Sequence, residues 1–130
     1  MSEKFNLEII RPDKTAYKSE VEEAVIPSFE GLMTVLKDHI ALVTFLRPGF
    51  IEIRNSNSKN KFFVEDGIVE FSNNQLLILT ASAIKIEDLH SEKILKMIKD
   101  AELKNEDKKI SDKKKYILSH KLDSLREINQ

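Results

Sequence analysis

Residues 25–49 have the sequence VIPSFEGLMTVLKDHIALVTFLRPG, in which short apolar blocks alternate with residues that favour turns. Gly31 can adopt the positive φ that many tight turns need, and Lys37-Asp38-His39 forms a second polar break. The segment from Ile40 to Leu46 is almost continuously apolar, a pattern typical of a strand that is covered on both faces. Arg47-Pro48-Gly49 has the composition of another turn. This stretch therefore predicts short strands joined by tight turns, and it contains few groups suited to catalysis.

The same strand-and-turn pattern extends through residues 1–85. Phe5, Leu7 and Ile9 alternate with polar residues, as they do in a half-buried strand. Asp66-Gly67 lies between two apolar segments and predicts a two-residue hairpin there. Turn residues recur between short apolar segments throughout residues 1–85, and few periodic segments are long enough for a helix. This pattern predicts an antiparallel sandwich or a flattened barrel. Periodicity alone does not choose between these two architectures.

The composition changes after Ala83, since glycine and proline are absent from there on and the charge density rises. Two amphipathic helices are predicted, with Asp88 or Ser91 as the N-cap of the first and Ser111 or Asp112 as the N-cap of the second. The apolar stripes consist of Ile94, Met97, Ile98 and Ala101 in the first helix, and of Leu118, Leu122 and Leu125 in the second. Because each stripe is narrow, we expect the helices to pair as a hairpin and to lean on the β domain.

The charges of the chain are balanced and evenly spread. Lys and Arg together number 21 against 22 Asp and Glu, and neither the β part nor the helical part has a strong excess of either sign. Binding to nucleic acid needs a concentrated positive field, so we expect none. The chain has no cysteine, which fits a reducing compartment, and it shows neither a secretory signal nor an apolar run of about 18–20 residues that could span a membrane. We expect a soluble or peripherally attached protein.

No arrangement of residue types points to catalysis. His39, His90 and His120 lie in three different predicted elements, and no two of them have the i, i+4 spacing of a helical metal site. The three glycines fall in separate turns, which leaves no phosphate-binding loop, and no serine has the context of a nucleophile elbow. The sequence therefore predicts no metal, no cofactor and no enzymatic activity.

Five lysines flank the break between the predicted helices: Lys108, Lys109, Lys113, Lys114 and Lys115. One interpretation is a solvated helix tip. The other is a positive patch that attracts an acidic partner, in which each exposed ion pair would contribute up to about 1 kcal/mol and would weaken with salt.

The central stretch also resembles a known family. An apolar residue before Pro27, then Glu30-Gly31, His39, Ala-Leu-Val-Thr at 41–44 and Arg47-Pro48-Gly49 follow the N-terminal domain of the epsilon subunit of rotary ATP synthases. Further matches are Phe-Phe-Val at 62–64, Asp-Gly-Ile-Val-Glu at 66–70, Leu-Ile-Leu at 77–79, Ala81 and Ala83-Ile84. Together with the chain length and the helical tail, these motifs make the resemblance specific from end to end.

The resemblance implies a mainly β N-terminal sandwich (residues 1–85) followed by a C-terminal α-helical hairpin (residues 86–130). In that family the sandwich binds the gamma subunit and the c-ring, and it couples rotation of the ring to the shaft that drives ATP synthesis. The helices can inhibit ATP hydrolysis when they extend towards the beta subunits, where the five lysines would face an acidic segment. Such a subunit is peripheral, on the cytoplasmic face of the bacterial inner membrane, and we expect it to be a monomer when isolated.

The family also implies where the neighbouring rotor subunits make contact. The implied interface residues are Phe29, Glu30, Gly31, Leu32, Met33 and His39. The other interpretation of His39 is a turn histidine that bonds to nearby backbone. Many members have an acidic residue directly after the glycine, and this chain has Leu32 instead. The contact with the ring must therefore be made differently here.

Some bacterial members bind ATP at the start of the first helix, through a motif of Ile or Leu, Asp, two variable residues, Arg and Ala. The aligned positions in this chain hold His90 for Asp, Lys93 for Arg and Ile94 for Ala. Lysine cannot reproduce the bidentate geometry of arginine, and isoleucine fills the space of the small residue. We therefore expect no tight binding of ATP.

An alternative interpretation is a small β-barrel adaptor with a helical tail that binds a protein or a single-stranded nucleic acid. Phe50, Phe62 and Phe63 could supply rings for base stacking. The absence of a basic groove speaks against that reading and favours a core role for these rings.

Overall fold

The computed structural model describes residues 3–128, which form a curled β-sandwich followed by two α-helices. The strands are β1 (Phe5–Ile10), β2 (Thr15–Val21), β3 (Glu23–Ser28), β4 (Gly31–Val35), β5 (Leu42–Leu46), β6 (Gly49–Asn55), β7 (Ser58–Val64), β8 (Gly67–Ser72), β9 (Gln75–Leu79) and β10 (Ile84–Lys85). A 3₁₀ turn (Ile86–Asp88) leads into the helices α1 (Ser91–Asn105) and α2 (Asp112–Ile128). The predicted fold class, a β-sandwich followed by a helical hairpin, is confirmed.

The strands form one curled sheet in the order β10-β7-β6-β3-β5-β8-β9-β1-β2, with β4 paired to β3. β1 and β9 are parallel, and the other pairs are antiparallel. The link between β3 and β5 is a single registered pair, Ser28 opposite Leu46. Because this link is so short, the sheet can bend sharply there. It divides the sheet into two halves, β10-β7-β6-β3 with β4 and β5-β8-β9-β1-β2, which enclose a common core.

Alternating apolar side chains build this core. In β1 the side chains of Phe5, Leu7 and Ile9 are buried, while Asn6 is exposed and Glu8 is half-buried, as the period of two predicts. The buried residues of the core are Phe5, Leu7, Ile9, Val21, Ala24, Ile26, Val35, Leu46, Ile51, Ile53, Phe62, Val64, Val69, Phe71, Leu76, Ile78 and Ala83. They come from both halves of the sheet, which is why the two halves behave as one packed unit.

Asp66-Gly67 is not the hairpin that the sequence predicts. β7 pairs with β6 and β10, whereas β8 pairs with β5 and β9, so the chain crosses here from one half of the sheet to the other. Gly67 has a φ of 149°, and a Cβ atom there would lie 2.6 Å from the carbonyl oxygen of Leu79. The Thr80 hydroxyl donates a hydrogen bond of 2.6 Å to the carbonyl of Asp66. Glycine is needed for a close crossing rather than for a two-residue turn.

The prediction that Ile40 to Leu46 forms a strand covered on both faces is also wrong. The strand β5 begins at Leu42, and its side chains alternate between the core and the solvent. Val43 is 69% exposed and Phe45 is 58% exposed. No element among residues 3–128 covers this side of the sheet, which leaves an apolar surface open to solvent.

The first helix begins without a side-chain cap. His90 occupies the N-cap position and makes no capping hydrogen bond through its side chain. Asp88 lies in the 3₁₀ turn and Ser91 is already the first helical residue, so the prediction that one of them caps α1 is wrong. The backbone N–H of Leu89 donates to the carbonyl of Ile86 and closes the 3₁₀ turn just before the helix.

The second helix begins directly after Ser111, one of its two predicted N-caps. The Ser111 hydroxyl accepts a hydrogen bond of 3.2 Å from the backbone N–H of Lys114, the geometry of an N-cap, and Asp112 is the first helical residue. An acidic residue in the first turn also interacts favourably with the helix dipole.

The helices pack against each other and against the sandwich, as predicted. Their junction with the sandwich is an apolar cluster whose buried members are Phe63, Leu89, Ile94 and Leu125. Phe50, Ile84, Ile86, Met97, Ile98 and Ile128 are partly buried around it. None of the helices in residues 3–128 is both long enough and apolar enough to cross a membrane.

Candidate subunit interface

The turn between β3 and β4 displays part of the predicted interface. The Ser28 hydroxyl donates to the carbonyl of Gly31 at 2.7 Å and accepts the backbone N–H of Glu30 at 3.2 Å. Gly31 has a φ of 128°, which favours glycine. Glu30 and Leu32 project into solvent, with Leu32 72% exposed, whereas Met33 packs against the core.

Phe29, in contrast, lies under helix α2. Its ring stacks on Tyr116 with the ring centroids 5.7 Å apart and an interplanar angle of 20°. The Tyr116 hydroxyl donates a hydrogen bond of 2.9 Å to the carbonyl of Phe29, and the Lys113 ammonium lies 5.9 Å from the centre of the Phe29 ring. The residue predicted to contact a neighbouring subunit is thus covered by the chain's own second helix.

His39 is held by local contacts. Its backbone N–H donates to the carbonyl of Leu36 at 3.1 Å, and its Nδ1 lies 2.8 Å from the carbonyl oxygen of Ile40. Its ring meets Phe71 edge to face, with the centroids 5.9 Å apart. The six predicted interface residues therefore occupy different environments: an exposed turn, the core side of β4, the underside of α2 and this locally bonded turn.

The structure adds a surface that the sequence analysis did not identify. Val43, Phe45, Ile68 and Leu79 form an outer apolar face across β5, β8 and β9, on the side of the sheet away from the core. Phe45 lies opposite Ile68, and Ile68 lies opposite Leu79. Phe45 is 58%, Ile68 44% and Leu79 42% exposed. The apolar run of β5 is the sequence feature that indicates this face. Because successive residues of a strand point to opposite faces, a continuous apolar run places apolar side chains on both of them.

An open groove of about 1150 Å³ runs between the outer apolar face and helix α2. Phe45, Ile68 and Leu79 line one side of it, and Lys113 and Ile117 line the other. The outer apolar face and the hairpin are therefore neighbours in the fold.

The lysines lie where the sequence predicts them. Lys108 and Lys109 are in the loop between the helices, Lys113 to Lys115 form the first turn of α2, and all five are exposed. Their role stays a prediction.

Of the three positions aligned with the ATP motif, one is buried and two are exposed. Ile94 is 3% exposed and belongs to the apolar cluster with Phe63, while His90 and Lys93 are exposed. The absence of tight ATP binding stays a prediction. Among residues 3–128 no three potential His, Cys, Asp or Glu ligands come together in a way that could hold a metal ion.

The adaptor interpretation depends on rings that could stack with bases. Phe62 and Phe63 are 2% and 0% exposed, so they are core residues and not a stacking surface. Phe50 is half-buried and has the Lys61 ammonium 4.3 Å above its ring centre. This removes the main structural support for the alternative.

The uncovered apolar outer face of this β-sandwich is a candidate surface for binding another protein. Residues 4–86 match the family model described as the beta-sandwich domain of the ATP synthase delta/epsilon chain. The chain is 43% identical over 130 residues to the ATP synthase epsilon chain of Pelagibacter ubique, an alignment that covers 99% of this chain and 100% of that protein. It is 31% identical to that of Parvibaculum lavamentivorans, over 98% of this chain and 97% of the relative.

A solved structure has the same fold. A chain of the Euglena gracilis mitochondrial ATP synthase, determined as the OSCP/F1/c-ring assembly, superimposes with a TM-score of 0.80 at 23% identity, over 98% of this chain and 82% of that chain. The chain described here belongs to the family of ATP synthase epsilon chains. It is therefore a non-catalytic subunit.

Proposed function

We propose that this chain is a central-stalk subunit of a rotary ATP synthase, in which residues 1–85 bind the gamma subunit and rest on the c-ring. In this role it couples rotation of the ring to the gamma shaft and so to ATP synthesis. It attaches to the cytoplasmic face of the bacterial inner membrane only through the complex, and it is a monomer when isolated. Residues 86–130 form a separate regulatory domain.

The outer apolar face carries this proposal. Contiguous apolar patches on a protein surface often mark sites of protein association. Covering a large apolar side chain contributes on the order of 1.5–3 kcal/mol, so a partner that covers Phe45, Ile68 and Leu79 gains much of the stability a specific interface needs. We assign this face to the gamma subunit.

The turn between β3 and β4 is proposed as the contact with the c-ring. Leu32 is 72% exposed there, and Glu30 adds one acidic group to the same turn. Where other members place an acidic residue after the glycine, an apolar side chain here favours contact with apolar parts of the ring loops. Such a contact depends less on salt than an ion pair does.

A mechanical role suits the sandwich. Its two halves share one close-packed core, and such interiors have low compressibility and transmit strain. Torque applied at the outer apolar face therefore reaches the turn between β3 and β4 without large deformation.

The hairpin supports a regulatory role. Its five exposed lysines lie at the end farthest along both helices from the apolar cluster that joins it to the sandwich. If the hairpin leaves the sandwich, these lysines can meet an acidic segment of a beta subunit and inhibit hydrolysis.

The proposal is tested by the variant Phe45→Glu, which places a charge in the centre of the outer apolar face. We expect binding to the cognate gamma subunit to weaken by at least tenfold, because a charged group would be buried without a partner. The matched control is Leu103→Glu, since Leu103 is 59% exposed on α1. Equal binding by Phe45→Glu and the unmodified chain, measured by calorimetry, would refute the assignment of this face.

A further inference from the structure

Helix α2 touches the sandwich through the ion pair of Lys121 with Glu65 and through two further kinds of contact. Near its C-terminal end, Leu125 joins the apolar cluster around Phe63, and both side chains are fully buried. Nearer its N-terminal end, the contacts are polar and aromatic: Tyr116 on Phe29, and His120 on Arg47. Only the second kind contains a group that titrates near neutral pH.

Arg47 is fixed in place by the turn before β6. Its Nε donates a hydrogen bond of 2.9 Å to the carbonyl of Ser28, and its Nη1 lies 3.0 Å from Nε2 of His120 and also contacts Nδ1 of that ring. A guanidinium only donates and stays protonated at any ordinary pH. A protonated imidazole would place a second cation directly against this guanidinium, so a contact this close requires the neutral imidazole.

The other charged and titratable groups around His120 do not reverse this requirement. On its own helix, Tyr116 packs edge-on at 4.5 Å between ring centroids, and its hydroxyl is used by the Phe29 carbonyl. Lys121 is paired with Glu65 of the sandwich. Burial of the ring and then the Arg47 charge lower the pKa of His120 below its ordinary 6.5, while Asp123 opposes them by raising it.

We propose that the contact between Arg47 and His120 is a pH-dependent latch, which holds the N-terminal half of α2 on the sandwich and opens on acidification. Protonation of the imidazole brings two cations together at the 3.0 Å that separates Arg47 Nη1 from His120 Nε2. The apolar cluster of Phe63 and Leu125 does not titrate, so it remains as the hinge. The hairpin tip swings away from the sandwich around it.

The direction of the pH dependence follows from the lowered pKa. Free of Arg47, the imidazole of His120 binds a proton near its ordinary pKa of 6.5, whereas the docked imidazole binds one only at lower pH. The open state therefore takes up more protons than the docked state. The stabilisation of docking by this contact is therefore fully present above about pH 6.5 and is lost as the pH falls through the lowered pKa.

Opening the latch changes what the sandwich displays. Tyr116 and Lys113 leave the ring of Phe29, and Lys113 and Ile117 no longer form one wall of the groove beside the outer apolar face. The inference rests on the proposed regulatory role of the hairpin only for its consequence in the assembled enzyme. The latch itself is a property of the isolated chain.

The test uses the full chain with two dyes. The chain has no native cysteine, so Lys109→Cys at the hairpin tip and Thr34→Cys on β4, both exposed positions, give a specific pair of labels. Energy transfer between the dyes is recorded from pH 8 to pH 5, and far-UV circular dichroism shows over which range the fold persists. We expect the transfer efficiency to fall below pH 6.5 while the circular dichroism is unchanged.

Two variants identify the group responsible. His120→Gln can accept from Arg47 without titrating, and we expect it to keep high transfer efficiency down to pH 5. His90→Gln removes an exposed histidine at the start of α1 and should follow the unmodified chain. A constant transfer efficiency in the unmodified chain, or the same fall in His120→Gln, would overturn the proposal.

If His120→Gln fails to dock at any pH, the pKa of His120 is measured in the unmodified chain by nuclear magnetic resonance titration of its ring. The proposal requires a pKa below 6.5, and a value at or above it would overturn the latch. These measurements involve no partner subunit, so their failure leaves the gamma assignment intact. Loss of gamma binding would equally leave the latch intact.

Discussion

The β-sandwich and the helical hairpin differ most in how many side chains they bury. Seventeen described residues form the buried core of the sandwich. Helix α1 buries Ile94 and Ala101 over 15 residues, and α2 buries Leu122, Ser124 and Leu125 over 17. The difference shows that one chain contains a unit built to stay folded and a unit whose position depends on a few contacts.

This difference suits the two proposed roles. A part that transmits torque must not deform, whereas a part that regulates must exchange positions at a cost of a few kcal/mol. The hairpin meets the second condition because its contacts with the sandwich are one apolar cluster, one aromatic stack and a few polar pairs.

The largest expected effect is in the sandwich core. Phe71 is 1% exposed and meets Phe5 edge to face, with the centroids 5.7 Å apart. We expect Phe71→Ala to lower the free energy of unfolding by about 3–5 kcal/mol, measured by urea denaturation of the whole chain. The comparison is Leu122→Ala in α2, which should loosen the hairpin while the strands unfold at their original urea concentration. Equal loss of strand stability in both variants would show that the two regions are one cooperative unit.

A smaller effect is expected at the crossing between the halves of the sheet. In Gly67→Ala the new Cβ would lie 2.6 Å from the Leu79 carbonyl oxygen and 3.0 Å from Thr80 Cβ, at a φ of 149°. We expect a loss of about 2 kcal/mol, since both crowding and backbone conformation oppose alanine. Gly31→Ala is the matched variant, because its φ of 128° is unfavourable but no atom lies within 4 Å. Thermal denaturation that ranks Gly31→Ala as the costlier change would contradict this reading of the crossing.

The smallest effect should be at the start of α2. Ser111→Ala removes the hydroxyl that accepts the Lys114 N–H, and we expect the first turn of the helix to lose about 1 kcal/mol of local stability. Amide hydrogen exchange at Lys114 and Lys115 should speed up about fivefold, with the strands unaffected. Ser119→Ala, at an exposed position within the same helix, is the control. If exchange in the strands also accelerates, the hairpin is more tightly coupled to the sandwich than its burial indicates.

Local patterns predicted most of the fold. The alternation in β1, the turn at Gly31 and the cap at Ser111 depend on residues close in sequence, and all three are present. Asp66-Gly67 was misassigned because a glycine needed for close approach has the same sequence signature as a hairpin turn. Only the pairing of distant strands distinguishes the two.

The candidate sites were less accessible from the sequence. The apolar run of β5 signalled two apolar faces correctly, but the second face is uncovered among the described residues instead of buried. The contacts of Tyr116 with Phe29 and of His120 with Arg47 join residues that are 87 and 73 positions apart. No local pattern encodes them, because they depend on how the hairpin docks.

The most direct test of this account compares the full chain with a chain that ends at His90, both in co-purification with the cognate gamma subunit. Circular dichroism must first show that the shortened chain keeps its strands. The account predicts that both chains retain the gamma subunit, because the outer apolar face belongs to the sandwich alone. Retention by the full chain only, with the shortened chain folded, would contradict it and would place the binding surface on the helices.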